Sequence, residues 1–287
     1  MKTFSFESIG TKWQIDIVDQ ITDAKFESLK EDVFSFLKEF ASIYSRFDKE
    51  SLVSKISQKK GKYKFPESSI NLFEVYNTLY ALTDGLFTLL IGDTLNSAGY
   101  DSSYSLKPGK LQKPEGWSTI DFKYPILDVK KPVTLDFGAC GKGYAIDQIV
   151  KLFKKNKIDA FLIDAGGDLY ISNIKNPRIG LENPLDTKKV MGVSFVNNAS
   201  ICGSALNRRS WGNYSHIINP DTLESPTEII ATWVIHKKAI IADALATALF
   251  LVEPEKIASE FKFEYLILYV DFKIKKSVNF PAEIYYN

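Results

Sequence analysis

Apolar residues alternate with polar ones near the start of the chain and then change to a helical period. Over residues 13–17 every second residue is apolar, and this period of two predicts a half-buried strand. Over residues 26–40 apolar residues recur at steps of three and four, which predicts a helix with Asp23 as its cap. A second helix is expected over residues 70–80, ending near Gly85.

A polar stretch separates these helices from a region richer in strands. Residues 101–118 contain two prolines and two glycines, and they predict a long surface loop or a sub-boundary. The apolar runs 126–129 and 133–137, joined by Lys-Lys-Pro, predict a hairpin. Further strands are expected at residues 160–163, 190–196, 229–236 and 265–270, and a short helix at 243–252.

Strands and helices follow one another without strict alternation, so the expected class is α+β. A length of 287 residues fits one large domain or two small ones, and we expect a single domain over residues 1–287, with a sub-boundary near 101–118. The formal net charge of +1 gives no electrostatic attraction to nucleic acid or to an anionic membrane. No apolar run reaches the length of a membrane span, and the N-terminal residues lack a signal-peptide core, so a cytoplasmic location is expected unless a leader was removed.

Two residue counts restrict the metal chemistry. The chain has two histidines, His216 and His236, which excludes a histidine-rich site, so any metal should be a hard cation bound by oxygen. Spacing alone leaves open whether its two cysteines, Cys140 and Cys202, pair.

The first chemical candidate is a loop of small residues between a predicted strand and a helix. The segment Leu135-Asp-Phe-Gly-Ala-Cys-Gly-Lys-Gly-Tyr-Ala145 lets a backbone approach a ligand closely, and helix N-terminal amides with Lys142 favour an anion. A phosphate or pyrophosphate cradle is one interpretation. A tight strand–helix turn with a solvated lysine is an equally good one.

The second candidate is an acid and a hydroxyl one helical turn apart. Asp243 and Thr247 stand at i and i+4 in a helix that is otherwise small or apolar, so both can reach one hard cation. The simpler interpretation, favoured by the pattern alone, is an aspartate cap and a threonine bonded back to its own helix.

Two further segments are weaker signals. His216 precedes an Asn-Pro turn at an expected strand end, where sites often lie, although a lone histidine is more often structural. Residues 84–88, Asp-Gly-Leu-Phe-Thr, form either a helix stop that faces a ligand or only a C-cap.

Taken in order, these segments resemble the motifs of the ApbE family, the FAD:protein FMN transferases. The resemblance covers most of the chain. Two departures are Thr88-Leu89, where members often have Asp-Pro, and Asn219, where they have aspartate. The matching segments are Ile9–Trp13, Ser45–Asp48, Gly85–Phe87, Leu135–Asp147, Asp164–Asp168, His216–Pro220 and Asp243–Ala248.

The resemblance implies an α+β fold of the ApbE-like (T-fold-like) kind, with mixed sheets and packed helices. It also implies a magnesium-dependent reaction, with Mn²⁺ as the alternative ion and FAD as substrate. AMP leaves, and FMN is joined by a phosphodiester to a Thr or Ser of an acceptor flavoprotein that carries an Asp-x-x-(Ser/Thr)-x-Thr segment. An FAD pyrophosphatase and a non-catalytic flavin-binding protein are the alternatives.

The resemblance also assigns roles to individual residues. Asp243, Thr247 and the Ala139 carbonyl would hold the metal. Asp136, Lys142 and His216 would contact FAD and are the catalytic candidates. With an ordinary pKa of about 6.5, a histidine suits proton transfer with the acceptor hydroxyl, and Asp136 or another carboxylate is the alternative base. The remaining residues expected to line the FAD pocket are Ile9, Phe47, Leu86, Phe87 and Thr88.

Overall fold

Residues 1–285 are described by a computed structural model and form sixteen β-strands and seven α-helices. The strands are β1 Lys2–Ser8, β2 Thr11–Ile17, β3 Gly61–Lys64, β4 Ile120–Lys123, β5 Ile126–Val129, β6 Phe161–Asp164, β7 Leu169–Ser172, β8 Ile179–Asn183, β9 Asp186–Ser194, β10 Ala199–Ala205, β11 Ser210–Trp211, β12 Tyr214–Ser215, β13 Ile229–His236, β14 Glu264–Tyr269, β15 Ile274–Lys276 and β16 Ala282–Ile284. The helices are α1 Asp23–Tyr44, α2 Leu52–Ile56, α3 Ile70–Leu82, α4 Gly92–Ser97, α5 Gly141–Lys155, α6 Ala239–Ala248 and α7 Pro254–Ile257.

An eight-stranded sheet, in the order β1-β2-β6-β7-β10-β13-β14-β15, joins distant parts of the sequence. Each neighbouring pair in it is antiparallel. Because side chains alternate across a strand, Trp13, Ile15 and Ile17 all point to one face, where they pack with residues of α1 and α5. The strand predicted over residues 13–17 is therefore confirmed, and so is the α+β class.

The opposite face of this sheet carries a second layer. The strands β8, β9 and β16 form a three-stranded sheet, and Ile179 and Leu181 from it share a core cluster with Ile171 and Ile201 of the large sheet. Helices thus cover one face of the large sheet and strands cover part of the other. No helix within residues 1–285 combines the length and apolar character needed to cross a membrane.

Two helix ends test the capping predictions. The cap of α1 is Thr22, whose hydroxyl accepts a hydrogen bond from the Lys25 N–H at 3.2 Å, so the prediction of Asp23 was wrong by one residue. Asp23 occupies the first helical position and pairs with Lys2. The expected stop near Gly85 is confirmed, because α3 ends at Leu82 and Gly85 turns the chain with φ +89°.

The predicted hairpin of residues 126–129 and 133–137 was wrong. The strand β5 lies between β3 and β4 in a separate three-stranded sheet. Residues 133–137 are buried but form no strand, because their hydrogen bonds go to a helical segment. The Thr134 N–H donates to Asp93 at 3.0 Å and the Asp136 N–H donates to the Leu89 carbonyl at 2.9 Å. This attachment brings Asp136 toward the site described below.

The segment 101–118 is largely a surface loop, as predicted, and ends in a short 3-10 turn at Trp117–Thr119. It is attached to α4 at two points. The Gly109 N–H donates to the Ser97 carbonyl at 2.8 Å, and the Thr94 hydroxyl donates to the Gln112 carbonyl at 2.8 Å. The largest core cluster takes residues from both sides of this loop.

Candidate active site

The first turn of α5 receives its cap from another helix. Gly143 is the third residue of α5, so its N–H has no partner inside the helix, and it donates to Asp243 Oδ2 at 2.8 Å. The carbonyl of Ala139, which precedes the helix, accepts no hydrogen bond within residues 1–285. A carbonyl oxygen in this state is available to a ligand such as a hard cation.

Asp243 lies in the middle of α6, because that helix begins four residues earlier than predicted, at Ala239. A role for Asp243 as the cap of its own helix, which the sequence pattern allowed, is therefore wrong. The side chain is 3% exposed and meets the first turn of α5. The contact is close enough that a Cβ atom on Gly143 would lie 2.6 Å from the Ala239 carbonyl carbon and 2.8 Å from Asp243 Cβ.

Thr247 follows Asp243 by one turn on the same helix face. The alternative interpretation required its hydroxyl to bond back to the helix, but no such bond is present in the described part of the chain. The Asp243 carboxylate and the Thr247 hydroxyl, both on α6, and the Ala139 carbonyl just before α5 are hard oxygens of the kind that a divalent cation binds. No group of three or more His, Cys, Asp and Glu side chains within residues 1–285 is arranged to hold a metal. A cation here would take its other ligands from phosphate or water, as Mg²⁺ commonly does.

Lys142 lies in the first turn of α5 between two buried carboxylates. Its ammonium pairs with Asp168 and lies 3.4 Å from Asp243 Oδ1. Burial opposes the charge on Lys142, but these carboxylates outweigh it and raise the pKa of the lysine above its ordinary range. Burial and the neighbouring Asp168 raise the pKa of Asp243, while Lys142 opposes them. The lysine is therefore charged and fixed, not solvated as the simpler interpretation of this segment assumed.

The two helices cap each other. Asp147 of α5 accepts hydrogen bonds from the N–H groups of Ala239, at 2.8 Å, and Ile240, at 3.0 Å, which open α6. Asp243 of α6 in turn accepts from Gly143 at the opening of α5. Asp147 follows Gly143, whose N–H donates to Asp243, by four residues. Asp243 follows Ala239, whose N–H donates to Asp147, by four residues as well. Asp147 ends the Leu135–Asp147 motif, but its role was not predicted from the sequence.

Replacing Asp147 with alanine is expected to lower the apparent magnesium affinity about tenfold and the free energy of unfolding by about 1–2 kcal/mol. The reason is that α6, which carries Asp243, loses both N-terminal hydrogen bonds. Magnesium titration of AMP release and urea unfolding measure the two effects.

Asp19 offers a matched control for this variant. Its carboxylate also holds two backbone N–H groups, those of Asp159 at 2.6 Å and Ala160 at 3.1 Å, away from the site. Asp19→Ala should therefore lose a similar stability and keep the magnesium dependence. Equal magnesium affinities for the two variants would reduce Asp147 to a purely structural residue.

Asp136 is buried and paired with the guanidinium of Arg46. Its Oδ1 also accepts from the Gly138 N–H at 2.7 Å. Arg46 donates further to Asn96 Oδ1 and to the Tyr100 carbonyl, both at 2.8 Å, while its Nη2 atom is buried with no partner in the described residues. Arg46 lies in the Ser45–Asp48 motif, yet its pairing with a residue ninety positions later was not readable from the sequence.

The residues predicted to line the FAD pocket fall into two groups. Ile9 forms the β1–β2 turn with φ +50°, and the neighbouring Gly10 carbonyl accepts from Arg209 Nη2 at 3.0 Å. Phe47 lies between the Arg46 guanidinium, 4.2 Å from its ring centroid, and the ring of Tyr104, stacked at 5.1 Å. Ile9 and Phe47 both lie near Arg209, whose guanidinium is 5.6 Å from the ring centroid of Tyr100, which is 5.3 Å from that of Phe47.

The second group is less accessible. Phe87 is 2% exposed and packs against Tyr76, with ring centroids 5.2 Å apart. The Thr88 hydroxyl accepts from the Leu90 N–H at 3.1 Å and caps a short 3-10 turn, and Leu86 is half-buried. The structure thus gives Phe87 and Thr88 structural contacts, and their contact with FAD stays a prediction.

His216 follows β12, at the strand end where it was expected. Burial and then the nearby Arg209 guanidinium lower the pKa of His216 to about 4, well below its ordinary value. Its Nδ1 is buried and has no hydrogen-bond partner within residues 1–285. The imidazole is therefore neutral near pH 7, with one ring nitrogen available for a ligand or a proton.

The two cysteines, Cys140 and Cys202, are both buried and form no disulfide with each other.

The ApbE family profile matches residues 9–265 of this chain. The chain belongs to the ApbE family. Among the curated relatives of this ApbE chain, the FAD:protein FMN transferase of Escherichia coli strain K12 is 24% identical over 296 residues, covering 92% of this chain and 82% of that protein. The protein of the same name from Treponema pallidum strain Nichols is 25% identical over 291 residues, covering 86% and 78%.

Solved structures of ApbE proteins share the fold. The flavin transferase ApbE of Vibrio cholerae matches with a TM-score of 0.83 and 21% identity, covering 96% of both chains. The ApbE protein of Thermotoga maritima matches with a TM-score of 0.83 and 22% identity, covering 96% of this chain and 97% of that one. The family membership and the ApbE-like fold expected from the motifs are therefore confirmed.

Proposed function

We propose that this chain is a magnesium-dependent FAD:protein FMN transferase. In this reaction FAD is split, AMP is released, and FMN is joined through a phosphodiester to a Thr or Ser of an acceptor flavoprotein. The observation that carries the proposal is the buried carboxylate of Asp243, which accepts a hydrogen bond from the Gly143 N–H in the first turn of α5, just after an Ala139 carbonyl that accepts none within residues 1–285. The curated relatives named FAD:protein FMN transferase support it.

The ligand set fits a hard cation. Magnesium, when bound with the phosphates of FAD, supplies charge neutralisation at the phosphoryl group and at the leaving phosphate. Ala139, Asp243 and Thr247 would hold the ion through a carbonyl, a carboxylate and a hydroxyl. Mn²⁺ accepts the same oxygen ligands and is the alternative.

The chain's own residues account for the other requirements of the transfer. The hydroxyl oxygen of the acceptor forms a bond to the phosphorus of the FMN half, and the bond from that phosphorus to the bridging oxygen breaks. AMP leaves with the bridging oxygen and its electron pair. Lys142, held charged between Asp168 and Asp243, adds positive charge where the leaving phosphate develops negative charge.

The proton of the acceptor hydroxyl needs a base. His216 is neutral and its buried Nδ1 has no partner in the described residues, so it can accept this proton. Asp136, the other candidate, is already engaged by Arg46 and by the Gly138 N–H. We therefore assign the role of base to His216.

The test is to incubate the purified chain with FAD, magnesium and a flavoprotein domain that carries an Asp-x-x-(Ser/Thr)-x-Thr segment. Flavin fluorescence of the acceptor on a denaturing gel, an equal amount of AMP, and loss of both with EDTA are the expected results. AMP without a labelled acceptor would instead identify an FAD pyrophosphatase. Intact FAD across several acceptor domains would leave a flavin-binding protein and contradict the proposal.

A further inference from the structure

The strand β10 extends beyond the end of its neighbour β7. Their pairing runs from Ala199 opposite Ile171 to Ile201 opposite Leu169, and it stops there. On its other side β10 remains paired with β13 as far as Ala205. Residues 203–205 therefore have a neighbouring strand on one side only, although they lie inside an eight-stranded sheet.

The open side of this segment presents backbone hydrogen-bonding groups. The Gly203 N–H points to that side, because it donates to Asp168 Oδ1 at 3.3 Å. Since N–H and C=O groups alternate in direction along a strand, the Gly203 carbonyl and the peptide groups of Ala205 point there as well. The Gly203 carbonyl and the N–H and C=O groups of Ala205 make no hydrogen bond outside the β10–β13 pairing within residues 1–285. Ala205 keeps extended angles, φ −146° and ψ 139°. A strand edge of this kind is a template for another chain.

A cavity of about 540 Å³ adjoins this edge. It lies between the large sheet and the β8–β9 layer, and Gly166, Gly167 and Gly203 form part of its wall. Gly166 is pressed against Thr11, where a Cβ atom would collide with the threonine hydroxyl. The Cβ position of Gly203 faces the ring of Trp233 at 3.1 Å, whereas a Cβ atom on Gly167 would have only Arg208 Nη2 nearby, at 3.7 Å. The wall beside β10 is therefore open to another backbone at Gly167.

This edge is directly connected to the candidate reaction centre. The carboxylate of Asp168 accepts from Gly203 with one oxygen and pairs with Lys142 through the other. Lys142 in turn lies 3.4 Å from Asp243. A segment bound beside Gly203 would therefore be separated by the Asp168 carboxylate from Lys142, which is proposed to act on the leaving phosphate.

We propose that the acceptor protein binds here as an added strand, with its target Ser or Thr in an extended segment paired to residues 203–205. This inference rests on the proposed transferase function. Main-chain hydrogen bonds supply affinity in such an arrangement, and pockets for alternate side chains supply specificity.

The same substitution at two positions of β10 tests the proposal. Ala199 and Ala205 lie on one face of the strand and pack against the same core, but only Ala205 lines the cavity. Ala205→Trp fills the space beside the open edge, whereas Ala199→Trp lies where β7 already pairs. The full chain would be assayed with FAD, magnesium and the flavoprotein domain carrying an Asp-x-x-(Ser/Thr)-x-Thr segment.

The KM for the acceptor domain is expected to rise at least about tenfold in Ala205→Trp, with FAD affinity and melting temperature equal to those of Ala199→Trp. An unchanged KM for the acceptor would overturn the proposal, as would a parallel loss of FAD affinity, because the cavity would then hold part of FAD. Wild-type protein that binds FAD and labels no acceptor would instead overturn the transferase function, and this inference with it.

A second readout does not depend on turnover. With the acceptor domain added in EDTA, amide hydrogen exchange at Ala205 should slow at least about tenfold, since its N–H gains a partner, while exchange at Ile201 stays unchanged. Exchange at Ala205 that is insensitive to the acceptor would overturn the added-strand arrangement.

Discussion

Asp243→Asn is expected to lower the rate of AMP release from FAD about a thousandfold, equivalent to about 4 kcal/mol of transition-state stabilisation. The amide oxygen can still accept from the Gly143 N–H, and Lys142 keeps its pairing with Asp168, so the fold should be retained. What is lost is the charged oxygen that a hard cation requires. Initial rates over a magnesium titration, with melting temperatures of both proteins, measure the effect.

Two controls make this result specific. Asp19→Asn removes a carboxylate that also holds backbone N–H groups, and it should leave the rate unchanged. EDTA should reduce the wild-type rate to that of Asp243→Asn and have no further effect on the variant. If Asp243→Asn kept the wild-type rate and magnesium dependence, the metal assignment would be wrong.

Gly143→Ala should lower the free energy of unfolding by about 3 kcal/mol or more. The added methyl group meets the carbonyl of Ala239 and the Cβ of Asp243, and these belong to a packed helix that cannot move aside cheaply. Separation of α5 and α6 would also break the hydrogen bond that holds Asp243. Urea unfolding monitored by circular dichroism is the measurement.

Gly116→Ala is the matched control for this variant. A Cβ atom on Gly116 would have its nearest neighbour at 4.0 Å, and its φ of −70° suits any residue. Its unfolding free energy should stay within about 0.5 kcal/mol of the wild-type value. A Gly143→Ala protein as stable as Gly116→Ala would show that the α5–α6 contact can relax.

The local pattern of apolar and polar residues predicted those elements whose own residues determine which positions are buried. The strand over residues 229–236 was found with its bounds, because an apolar run interrupted only by Thr232 and ended by His236 forms it. The hairpin ending at Phe137 was wrong because the bonds that hold residues 133–137 come from Asp93 and Leu89, which the local pattern does not contain. A long-range partner of this kind leaves no periodic signal.

The candidate site shows the same division. The spacing of Asp243 and Thr247 placed both on one helix face, since helix geometry alone fixes that relation. The start of α6 was misplaced because Lys238, its N-cap, makes no side-chain capping bond, and the cap is supplied by Asp147 from another helix. Asp168 ends the Asp164–Asp168 motif, but its pairing with Lys142 depends on the order of strands in the sheet and could not be predicted from the sequence.

The mutual capping of α5 and α6 makes their N-termini one cooperative unit. Opening the first turn of either helix breaks a hydrogen bond to an aspartate of the other and leaves a buried carboxylate without its donor. A state with only one helix start in place is therefore sparsely populated. Asp243, the proposed carboxylate ligand of the cation, belongs to this unit, so magnesium binding there would stabilise both helix starts together.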